Sequence, residues 1–409
     1  MNSKKQIVFI ESYSTVMTYK IAKLFKKNGY ETVLIRLLEQ KLSDDKFYSD
    51  AYDKVINFNI SSTKISLKDS LMNMKTSFNL IKSVFIAFIQ ISKLKPYTIF
   101  GKANPNWPIA FFRIWFRKFP FIYFPYDIHV HWYSSTKIAK KRGISKFEIF
   151  SERFCFEHSD GIMHKGSPEE LKYLNGRMLG KNIRLPKNQI TFHPYCSKEF
   201  CVPINKNKLS KDDGELHFVH IVSGGELKKS NYIPFFNFGK NIIKHKIHYH
   251  LYISQVLGSG KNEVNEFLKE CKKEKYYKYF HIHSPLNPKE IVQEISKYDL
   301  GILSSFQSEY VKQELEPKFC TGNKFATYLE AGIPIFCSSN LDFSYKLCKD
   351  YRVLPFINSN SEDFQQIVSK LNPKKLEKNI IKARQNFDMD KNFPRLEEFV
   401  RNIVNQKNR

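Results

Sequence analysis

The chain has 409 residues, 42% of them hydrophobic, so it is long enough to bury two cores and too apolar for a disordered chain. Its longest apolar stretch, residues 80–91, contains a lysine and is much shorter than the roughly 20 residues that a membrane-spanning helix needs. Seven cysteines form no CxxC pair and the N-terminus reads as a first strand rather than a secretion signal, so we expect reduced thiols and a cytoplasmic protein.

The first half of the chain alternates short β-branched or aromatic runs with amphipathic stretches. Strands are predicted at residues 6–12, 32–38, 54–60, 97–100, 119–129, 161–166 and 190–195. Helices are predicted at residues 16–27, 70–94 and 107–116, and a further one ends near His158. The first helix stops at Asn28-Gly29, a typical C-cap. This alternation predicts a parallel sheet with helices on both faces.

The second half repeats this rhythm after a polar segment, residues 201–214, that we interpret as a linker. Strands are predicted at residues 215–225, 246–254, 279–285 and 298–305, and helices after residue 229, at 264–275 and at 288–297. The predicted fold class is α/β, with two Rossmann-like doubly wound domains facing each other across a cleft. They comprise residues 1–200 and 215–385, and a C-terminal helix at 386–409 is expected to pack back on the first domain. Ligands are expected at the carboxyl ends of the strands.

The positive charge is concentrated in the first half. The whole chain carries a net charge of +26, and residues 54–146 contain 16 Lys and Arg against two acids, Asp69 and Asp127, a local excess of 16 − 2 = +14. A low-GC genome would spread lysines evenly, so we interpret this segment as a basic surface, with compositional drift as the alternative. Such a surface suits an anionic membrane or a phosphate-bearing acceptor. Nucleic acid is not expected, because no recognised nucleic-acid motif accompanies the charge.

A Gly-rich turn follows the first strand of the second half, in the sequence SGGELKK. Gly224 and Gly225 would let the backbone approach a phosphate, and Lys228 or Lys229 could neutralise it. The alternative is a plain tight turn.

A more specific pattern occupies residues 321–334, TGNKFATYLEAGIP. It predicts a turn that Gly322 permits and a helix beginning at Asn323 and Lys324. Its buried stripe consists of Phe325, Tyr328 and Leu329. The helix should end at Gly332, before Pro334. Free N–H groups of the first turn, with Lys324, would bind a diphosphate. The alternative is that Lys324 is a solvated lysine on an amphipathic helix.

Two polar groups in the first half follow predicted strands. Asp127, His129 and His131 alternate after the strand at 119–129, so an extended segment would place them on one face, where a carboxylate or imidazole can orient or deprotonate a hydroxyl. The alternative is a turn and capping role. Ser12 and Tyr13 follow the first strand and are weaker candidates for an acceptor-side loop.

No metal site is predicted from the sequence. Asp44-Asp45 and Asp212-Asp213 lie in polar loops, so no DxD pair stands beside a strand end. Most other histidines fall inside strand patterns and are interpreted as core or surface residues. These are His217, His220, His245, His248, His250, His281 and His283.

The string NKFATYLEAGIPIF resembles the donor-binding segment of GT-B glycosyltransferases, the two-Rossmann architecture. The resemblance is to retaining family-4-like enzymes and their galactofuranosyl- and glucosyltransferase relatives, which carry the form NK-x-x-x-YL-x-x-G-x-P. It implies a donor site built on the Gly-rich turn and the helix that follows Gly322. The helix residues implied in donor binding are Asn323, Lys324, Phe325, Thr327 and Glu330.

The sequence departs from the family pattern at two acidic positions. Many members carry a glutamate that contacts the donor ribose five residues before the helix-ending glycine. Thr327 stands there, and Phe319 occupies the place of the second glutamate. Glu330, Glu314 and Glu316 are the alternatives for the ribose contact. The arginine that usually follows the glycine turn is also missing, which leaves the lysine pair after Gly225.

The resemblance implies transfer of a sugar from a nucleotide-diphosphate sugar, with a UDP-sugar favoured, to a saccharide, lipid-linked or protein acceptor. We expect a retaining, metal-independent reaction without a further cofactor, in cell-surface glycan synthesis or protein glycosylation. His129 or Asp127 would position the acceptor, and Ser12, Tyr13 and His131 would bind it. The basic segment would dock the enzyme at the inner face of the membrane. The alternatives are a nucleotide-sugar epimerase-like GT-B enzyme and a non-catalytic basic surface-binding protein.

Overall fold

The computed structural model describes the chain with gaps. It covers residues 4–38, 45–60, 74–103, 105–128, 144–177, 184–222, 232–253, 275–304, 316–338, 340–354 and 373–409, with five single positions between 266 and 273. Two compact units are present. The first contains Met1–His193, Gln313–Glu316 and Asn392–Arg409, and the second contains Pro194–Lys312 and Pro317–Lys391.

The first unit is built on a parallel sheet that has seven strands within the described residues. They are β1 (Gln6–Glu11), β2 (Glu31–Leu38), β3 (Lys54–Ile60), β4 (Thr98–Lys102), β5 (Phe121–Phe124), β6 (Gly161–His164) and β7 (Gln189–Thr191). The strand order is β3-β2-β1-β4-β5-β6-β7, the order of a doubly wound fold. Strands β4, β5 and β6 are buried at every position, which explains their nearly continuous apolar sequences.

Within the described residues, six helices of the first unit precede or follow these strands. They are α1 (Val16–Lys27), α2 (Asp45–Ser49), α3 (Met74–Leu94), α4 (Trp107–Trp115), α5 (Lys146–His158) and α6 (Pro168–Arg177). The helix α1 begins with a capping box in which the Thr15 and Thr18 side chains each bond the other residue's backbone N–H. Its apolar face packs on the sheet, where the Phe25 ring contacts the Phe100 ring of β4 at 5.8 Å between centroids.

The second unit has a smaller parallel sheet, with five strands among the described residues. They are β8 (His217–Val222), β9 (His248–Ile253), β10 (Phe280–His283), β11 (Leu300–Leu303) and β12 (Ile335–Cys337), in the order β10-β9-β8-β11-β12. The α-helices that the structure describes in this part of the chain are α7 (Ser210–Asp213), α8 (Tyr232–Lys244), α9 (Pro288–Ile295), α10 (Glu316–Phe319), α11 (Asn323–Ala331), α12 (Asp342–Asp350) and α13 (Pro373–Asn386).

The last helix, α14 (Met389–Lys407), belongs to the first unit from Asn392 onward. Its Phe393 ring meets the Phe25 ring at 5.2 Å in a T-shaped contact, and the Tyr30 hydroxyl donates a hydrogen bond to Glu397 at 2.8 Å. Gly161, at the start of β6, leaves room for Ile403, whose side chain occupies the place of a Cβ atom. Apolar contacts along its length therefore tie this helix to the first sheet.

The predicted element types are confirmed, and the strands are mostly shorter than predicted. Helix α1 and strand β3 have the predicted bounds, whereas the predicted strand at 119–129 spans only Phe121–Phe124. Pro120 and Pro125 flank it, and neither has an N–H to donate to a neighbouring strand. The predicted helix at 264–275 lies largely outside the described residues. No helix of the described part is both long and apolar enough to span a membrane.

Candidate functional site

Both sheets reverse their strand order beside their first strand. In the first sheet the reversal lies between β1 and β4, and in the second between β8 and β11. Crossover helices leave in opposite directions from such a switch point, so a crevice opens outside the carboxyl ends of the two strands, where doubly wound folds bind ligands. The residues at these two places are therefore described unit by unit.

In the second unit, α11 begins close to this switch point. Its N-cap is Gly322, which has φ −75° and ψ 152° and provides no side-chain cap for the first N–H groups. A Cβ on Gly322 would meet nothing closer than the Lys324 backbone nitrogen at 3.9 Å. This backbone conformation is open to any residue, so the turn itself does not require a glycine. The absence of a side chain instead leaves the start of the helix open, as an anion-binding helix terminus requires.

The Tyr328 side chain fixes α11 against the switch-point strands. Its hydroxyl donates to the Ile302 carbonyl of β11 at 2.8 Å and accepts from the Ile221 N–H of β8 at 3.2 Å. The ring lies directly over Gly301, where a Cβ would come within 2.5 Å of it. One aromatic residue thus holds the helix to both strands, and Gly301 provides the space for it.

The carboxyl end of α11 is occupied by protein groups. Gly332 adopts φ +76°, the left-handed conformation that ends helices. Arg384 of α13 donates to the Leu329 carbonyl and to the Glu330 carbonyl, both at 2.6 Å, and the Val202 N–H donates to the Glu330 carbonyl at 3.0 Å. The predicted end of the helix is confirmed, and its last carbonyls are satisfied within the unit.

Lys324 brings a positive charge to the same place. Its charge acts on His220 of β8, which is buried and bonded to the Tyr249 hydroxyl at 2.7 Å and to Ser304 Oγ, just after β11, at 3.2 Å. Burial, and secondarily the Lys324 charge, hold the pKa of His220 well below its usual range. A neutral imidazole therefore lies near the Lys324 side chain.

The other predicted donor residues on α11 have roles within the fold. The Phe325 ring is fully buried and meets Phe387 at 5.1 Å, so the ring does not face a ligand. The Thr327 hydroxyl donates to the Asn323 carbonyl at 3.1 Å. The Glu330 carboxylate is buried and accepts the Ser197 N–H at 2.7 Å. The structure thus gives Phe325 a packing role and Glu330 an anchoring role within the fold.

Several predicted residues lie outside the described part of the chain. They are Gly224, Gly225, Lys228, Lys229, His129, His131 and Glu314. The side chain of Glu316 lies outside it as well.

In the first unit, Lys102 occupies the switch point. It is the last residue of β4, it is buried, and its Nζ donates to the Tyr13 carbonyl at 2.6 Å and lies 3.5 Å from the Glu11 carboxylate. The same ammonium group lies over two rings, 4.3 Å from the centroid of Tyr13 and 4.9 Å from that of Tyr126. Burial lowers the pKa of Lys102 to about 8, although Glu11 acts in the opposite direction.

A second lysine follows a strand two places further along the sheet. Lys165, just after β6, forms an ion pair with Asp127 at 3.1 Å and lies 3.8 Å from the centroid of the Tyr126 ring. Tyr126 thus lies between two ammonium groups, each of which also has a carboxylate partner. We call this group the lysine–tyrosine cluster. It consists of Glu11, Tyr13, Lys102, Tyr126, Asp127 and Lys165.

The predicted acceptor residues that the structure describes belong to this region. Tyr13 and Asp127 are members of the cluster. Ser12 lies between Glu11 and Tyr13, is 1% exposed, and its hydroxyl has no hydrogen-bond partner among the described residues.

The sequence analysis missed Lys102, Lys165, His220 and Ser304. Each lies within a buried strand or directly after one, and each polar side chain comes at the end of an apolar run or inside one, as in YTIFGK. That position is the signal that could have identified them. It was weak because a lysine at a strand end is most often solvated.

Comparison with known proteins identifies the fold. No protein-family model matches the sequence, and no curated protein matches it. The sucrose-phosphate synthase of Thermosynechococcus elongatus aligns with a TM-score of 0.71 over 98% of this chain and 100% of its own, at 12% identity. A glycosyltransferase of Rickettsia africae aligns with a TM-score of 0.63 over 98% of this chain and 99% of its own, at 12% identity.

A third solved structure contains a ligand. HepE of Anabaena, in complex with UDP and glucose, aligns with a TM-score of 0.61 over 98% of both chains, at 12% identity. These alignments confirm the predicted resemblance at the level of the fold: the chain has the GT-B architecture of two Rossmann-like units. At 12% identity they show the fold alone.

Proposed function

We propose that this chain is a glycosyltransferase that moves a sugar from a nucleotide-diphosphate sugar to a saccharide, lipid-linked or protein acceptor. The observation that carries the proposal is the open start of α11 at the switch point of the second sheet, with Lys324 beside it. Three further facts support it: the fold, its nucleotide-sugar-using structural neighbours, and the sequence NKFATYLEAGIPIF on this helix.

In this proposal α11 stabilises the departing nucleoside diphosphate. Negative charge grows on the diphosphate as the glycosidic bond to the donor breaks. The partial positive charge at the helix start and the Lys324 ammonium group are already in place to stabilise that charge. A UDP-sugar is the favoured donor, because HepE was solved with UDP-glucose and another neighbour, TcCGT1, with UDP. We propose a metal-independent reaction with retention of configuration, as the sequence pattern implies.

We propose that the lysine–tyrosine cluster of the first unit binds the acceptor. It presents a carboxylate, Asp127, that is one-fifth exposed and held by Lys165 at 3.1 Å. An ionised carboxylate in this setting can orient an acceptor hydroxyl or accept its proton. His129 and His131 remain proposed acceptor-side residues.

A lipid-linked acceptor is favoured by an exposed apolar face on the first unit. Helix α4 packs against both α3 and α5, and all three expose large apolar side chains. The exposed residues are Phe85, Ile86, Ile89, Phe111, Ile114, Trp115, Phe147 and Phe150. Monomeric proteins rarely expose so many large apolar side chains together, and such patches mark interaction sites. We call this surface the aromatic face.

Basic residues accompany the aromatic face, and the acids of α5 are buried or paired: Glu148 and Glu152 are buried, and Glu157 pairs with Arg153. Lys82, Lys93, Arg117, Lys118 and Lys146 are exposed on or beside the three helices, and the sequence from residue 74 to residue 124 contains no Asp or Glu. Aromatic and aliphatic groups that enter the headgroup region and lysines that attract anionic lipid act together in peripheral membrane binding. We therefore propose that the aromatic face docks the enzyme on an anionic membrane surface, in cell-surface glycan synthesis.

The donor site is tested by titrating UDP and UDP-sugars into the purified protein by calorimetry. We expect Lys324→Met to weaken UDP binding and to lower turnover roughly ten- to a thousandfold, because one charge contact to the leaving group is lost. Lys346→Met is the matched control, since Lys346 is an exposed lysine of the same unit on α12. Equal UDP affinity in both variants and the wild type would remove Lys324 from the site.

The membrane surface is tested by sedimentation with vesicles of anionic and of neutral lipid. We expect binding to the anionic vesicles that weakens as salt rises, and a further loss in Phe150→Ser, whose side chain is 63% exposed. Leu286→Ser is the control, because Leu286 is an exposed apolar residue of the second unit. Binding that is absent, or that Phe150→Ser and Leu286→Ser reduce equally, would contradict docking through the aromatic face.

A further inference from the structure

Two histidines open adjacent strands at the amino edge of the second sheet. His217 is the first residue of β8 and His248 the first of β9, and the two are paired in register. Their rings are stacked, with centroids 4.3 Å apart and planes within 7°. Asp213 and Glu215 lie just before β8, so two carboxylates are placed beside the paired imidazoles.

The side-chain atoms of these residues converge. The Asp213 Oδ2 atom lies 3.0 Å from His217 Nε2 and 3.3 Å from His248 Nε2. Glu215 Oε2 lies 3.1 Å from the same His248 Nε2. In a tetrahedral site with metal–ligand bonds of about 2.05 Å, neighbouring ligand atoms lie about 3.3 Å apart. The three measured separations are close to this length, and the stacked rings must turn about their Cβ–Cγ bonds for both Nε2 lone pairs to point at one ion.

We propose that this group, the His–carboxylate cluster, binds a divalent transition metal ion, with zinc as the preferred ion. The cluster contains Asp213, Glu215, His217 and His248. Two imidazole nitrogens and two carboxylate oxygens form the ligand chemistry of zinc sites. A third imidazole, that of His250, brings a ring nitrogen within 4.8 Å of nitrogens of the other two histidines.

Further histidines complete the hydrogen bonding that metal-bound imidazoles need. When Nε2 of a histidine binds a metal, its Nδ1 carries the proton and requires an acceptor. His217 Nδ1 lies 2.9 Å from His250 Nε2, and His248 Nδ1 lies 2.7 Å from His281 Nε2. The same contact is repeated between the next two histidines, where His250 Nδ1 lies 2.9 Å from His283 Nε2. Both proposed ligands therefore have an outer imidazole that can accept the N–H.

The solvent exposure of the His–carboxylate cluster and its place in the sheet indicate the role of the bound ion. The carboxylate-bearing side chains of Asp213 and Glu215 are 41% and 33% exposed, so an ion can enter from solvent, while His217 is nearly buried. The cluster lies at the amino ends of β8 and β9, whereas ligands of the proposed reaction are expected at the carboxyl ends. We therefore assign the ion a structural role that links the segment before β8 to β9, and the proposed transfer remains metal-independent.

The test uses the full-length, tag-free protein after treatment with a chelator. Cobalt is titrated first, because tetrahedral cobalt gives strong visible absorption, and zinc is then added. We expect one ion per chain, the tetrahedral cobalt spectrum, its loss on zinc addition, and a rise in the thermal midpoint with bound ion.

Variants connect the ion to these residues. Asp213→Asn and His248→Gln should each weaken cobalt binding by at least about 100-fold, because a direct ligand is lost. His281→Gln, an outer partner, should weaken it about 10- to 100-fold. His158→Gln, which alters an exposed histidine of the first unit, should bind as the wild type does.

Absence of stoichiometric cobalt and zinc binding by the wild type would overturn the proposal. Undiminished binding in Asp213→Asn would overturn it as well, and this variant decides the matter if His248→Gln fails to fold, since Asp213 is an exposed residue. UDP titrations before and after chelation keep this test separate from the proposed transferase function, because metal binding does not depend on a donor.

Discussion

Replacing Gly301 by alanine is predicted to displace the helix that carries the proposed diphosphate site. A Cβ at this position would lie 2.5, 2.7 and 2.8 Å from three atoms of the Tyr328 ring. All three distances are shorter than any real Cβ contact, and the Tyr328 ring cannot turn away freely because its hydroxyl is bonded to Ile302 and Ile221. The ring, and α11 with it, must therefore shift away from β11.

The size of the effect follows from these contacts. Inserting a methyl group into a packed core costs about 1–3 kcal/mol. Weakening of the two hydrogen bonds to the Tyr328 hydroxyl adds about 1 kcal/mol. We therefore expect a loss of roughly 2–4 kcal/mol, which lowers the thermal midpoint by roughly 4–16 °C for a unit of this size. UDP affinity should fall as well, because the start of α11 moves with the ring.

The assay is thermal unfolding of Gly301→Ala beside Gly322→Ala, followed by UDP titration of Gly301→Ala and the wild type. Gly322 is the matched control, because its φ of −75° suits alanine and a Cβ there meets only an atom at 3.9 Å. We expect Gly322→Ala to unfold within about 0.5 kcal/mol of the wild type. Equal stability of Gly301→Ala and Gly322→Ala would refute the proposed packing of Tyr328 on Gly301.

Three further predictions concern residues that stabilise the two units. Gly332→Ala should lower the free energy of unfolding of the second unit by at least about 1 kcal/mol, because a φ of +76° is strained for alanine and the added Cβ would press on Arg384. An unchanged midpoint of urea unfolding would contradict this. Glu148→Ala should destabilise the first unit by about 1–3 kcal/mol, since this buried carboxylate accepts the Asn106 N–H at 2.5 Å and caps α4. Urea unfolding followed by circular dichroism measures this loss of stability. Burial lowers the pKa of His193 to about 4, so the unfolded chain binds more protons below about pH 6.5 and stability falls with acid. Relative to His193→Gln, the wild type should lose about 2 kcal/mol between about pH 7 and about pH 5, and parallel pH profiles would contradict the assignment.

The donor helix could be predicted from the sequence because its signals are local. Its first and last residues follow from Gly322 at the N-cap and from Gly332 before Pro334, and the apolar spacing defines its buried face. The backbone conformation at Gly322 could not be predicted, since glycine is compatible with either sign of φ. The structure gives Gly322 a negative φ, so its lack of a side chain matters for the open space beside it rather than for the turn.

The lysine–tyrosine cluster could not be predicted, because its partners come from distant parts of the chain. Lys102 donates to the carbonyl of Tyr13, 89 residues away, and the pairing depends on β1 and β4 being neighbours in the sheet. The sequence alone shows Lys102 only as a lysine at the end of a strand. Its burial becomes visible once the rings of Tyr13 and Tyr126 are placed over it.

The histidine network shows the same limit. The sequence places His217, His248 and His281 on separate strands, and each by itself is a common strand residue. Their convergence depends on the register of β8 with β9 and of β9 with β10. The residue pattern within one strand carries no information on how that strand pairs with its neighbours. These histidines were therefore predicted to be core or surface residues.

The central claim is that a nucleoside diphosphate binds at the start of α11, and calorimetric titration of UDP into the wild type, Lys324→Met and Lys346→Met tests it most directly. The account predicts saturable binding to the wild type, the same affinity in Lys346→Met, and an affinity at least about tenfold lower in Lys324→Met, equivalent to about 1.4 kcal/mol. Identical affinities in all three proteins would contradict it, as would the absence of binding to any nucleoside diphosphate.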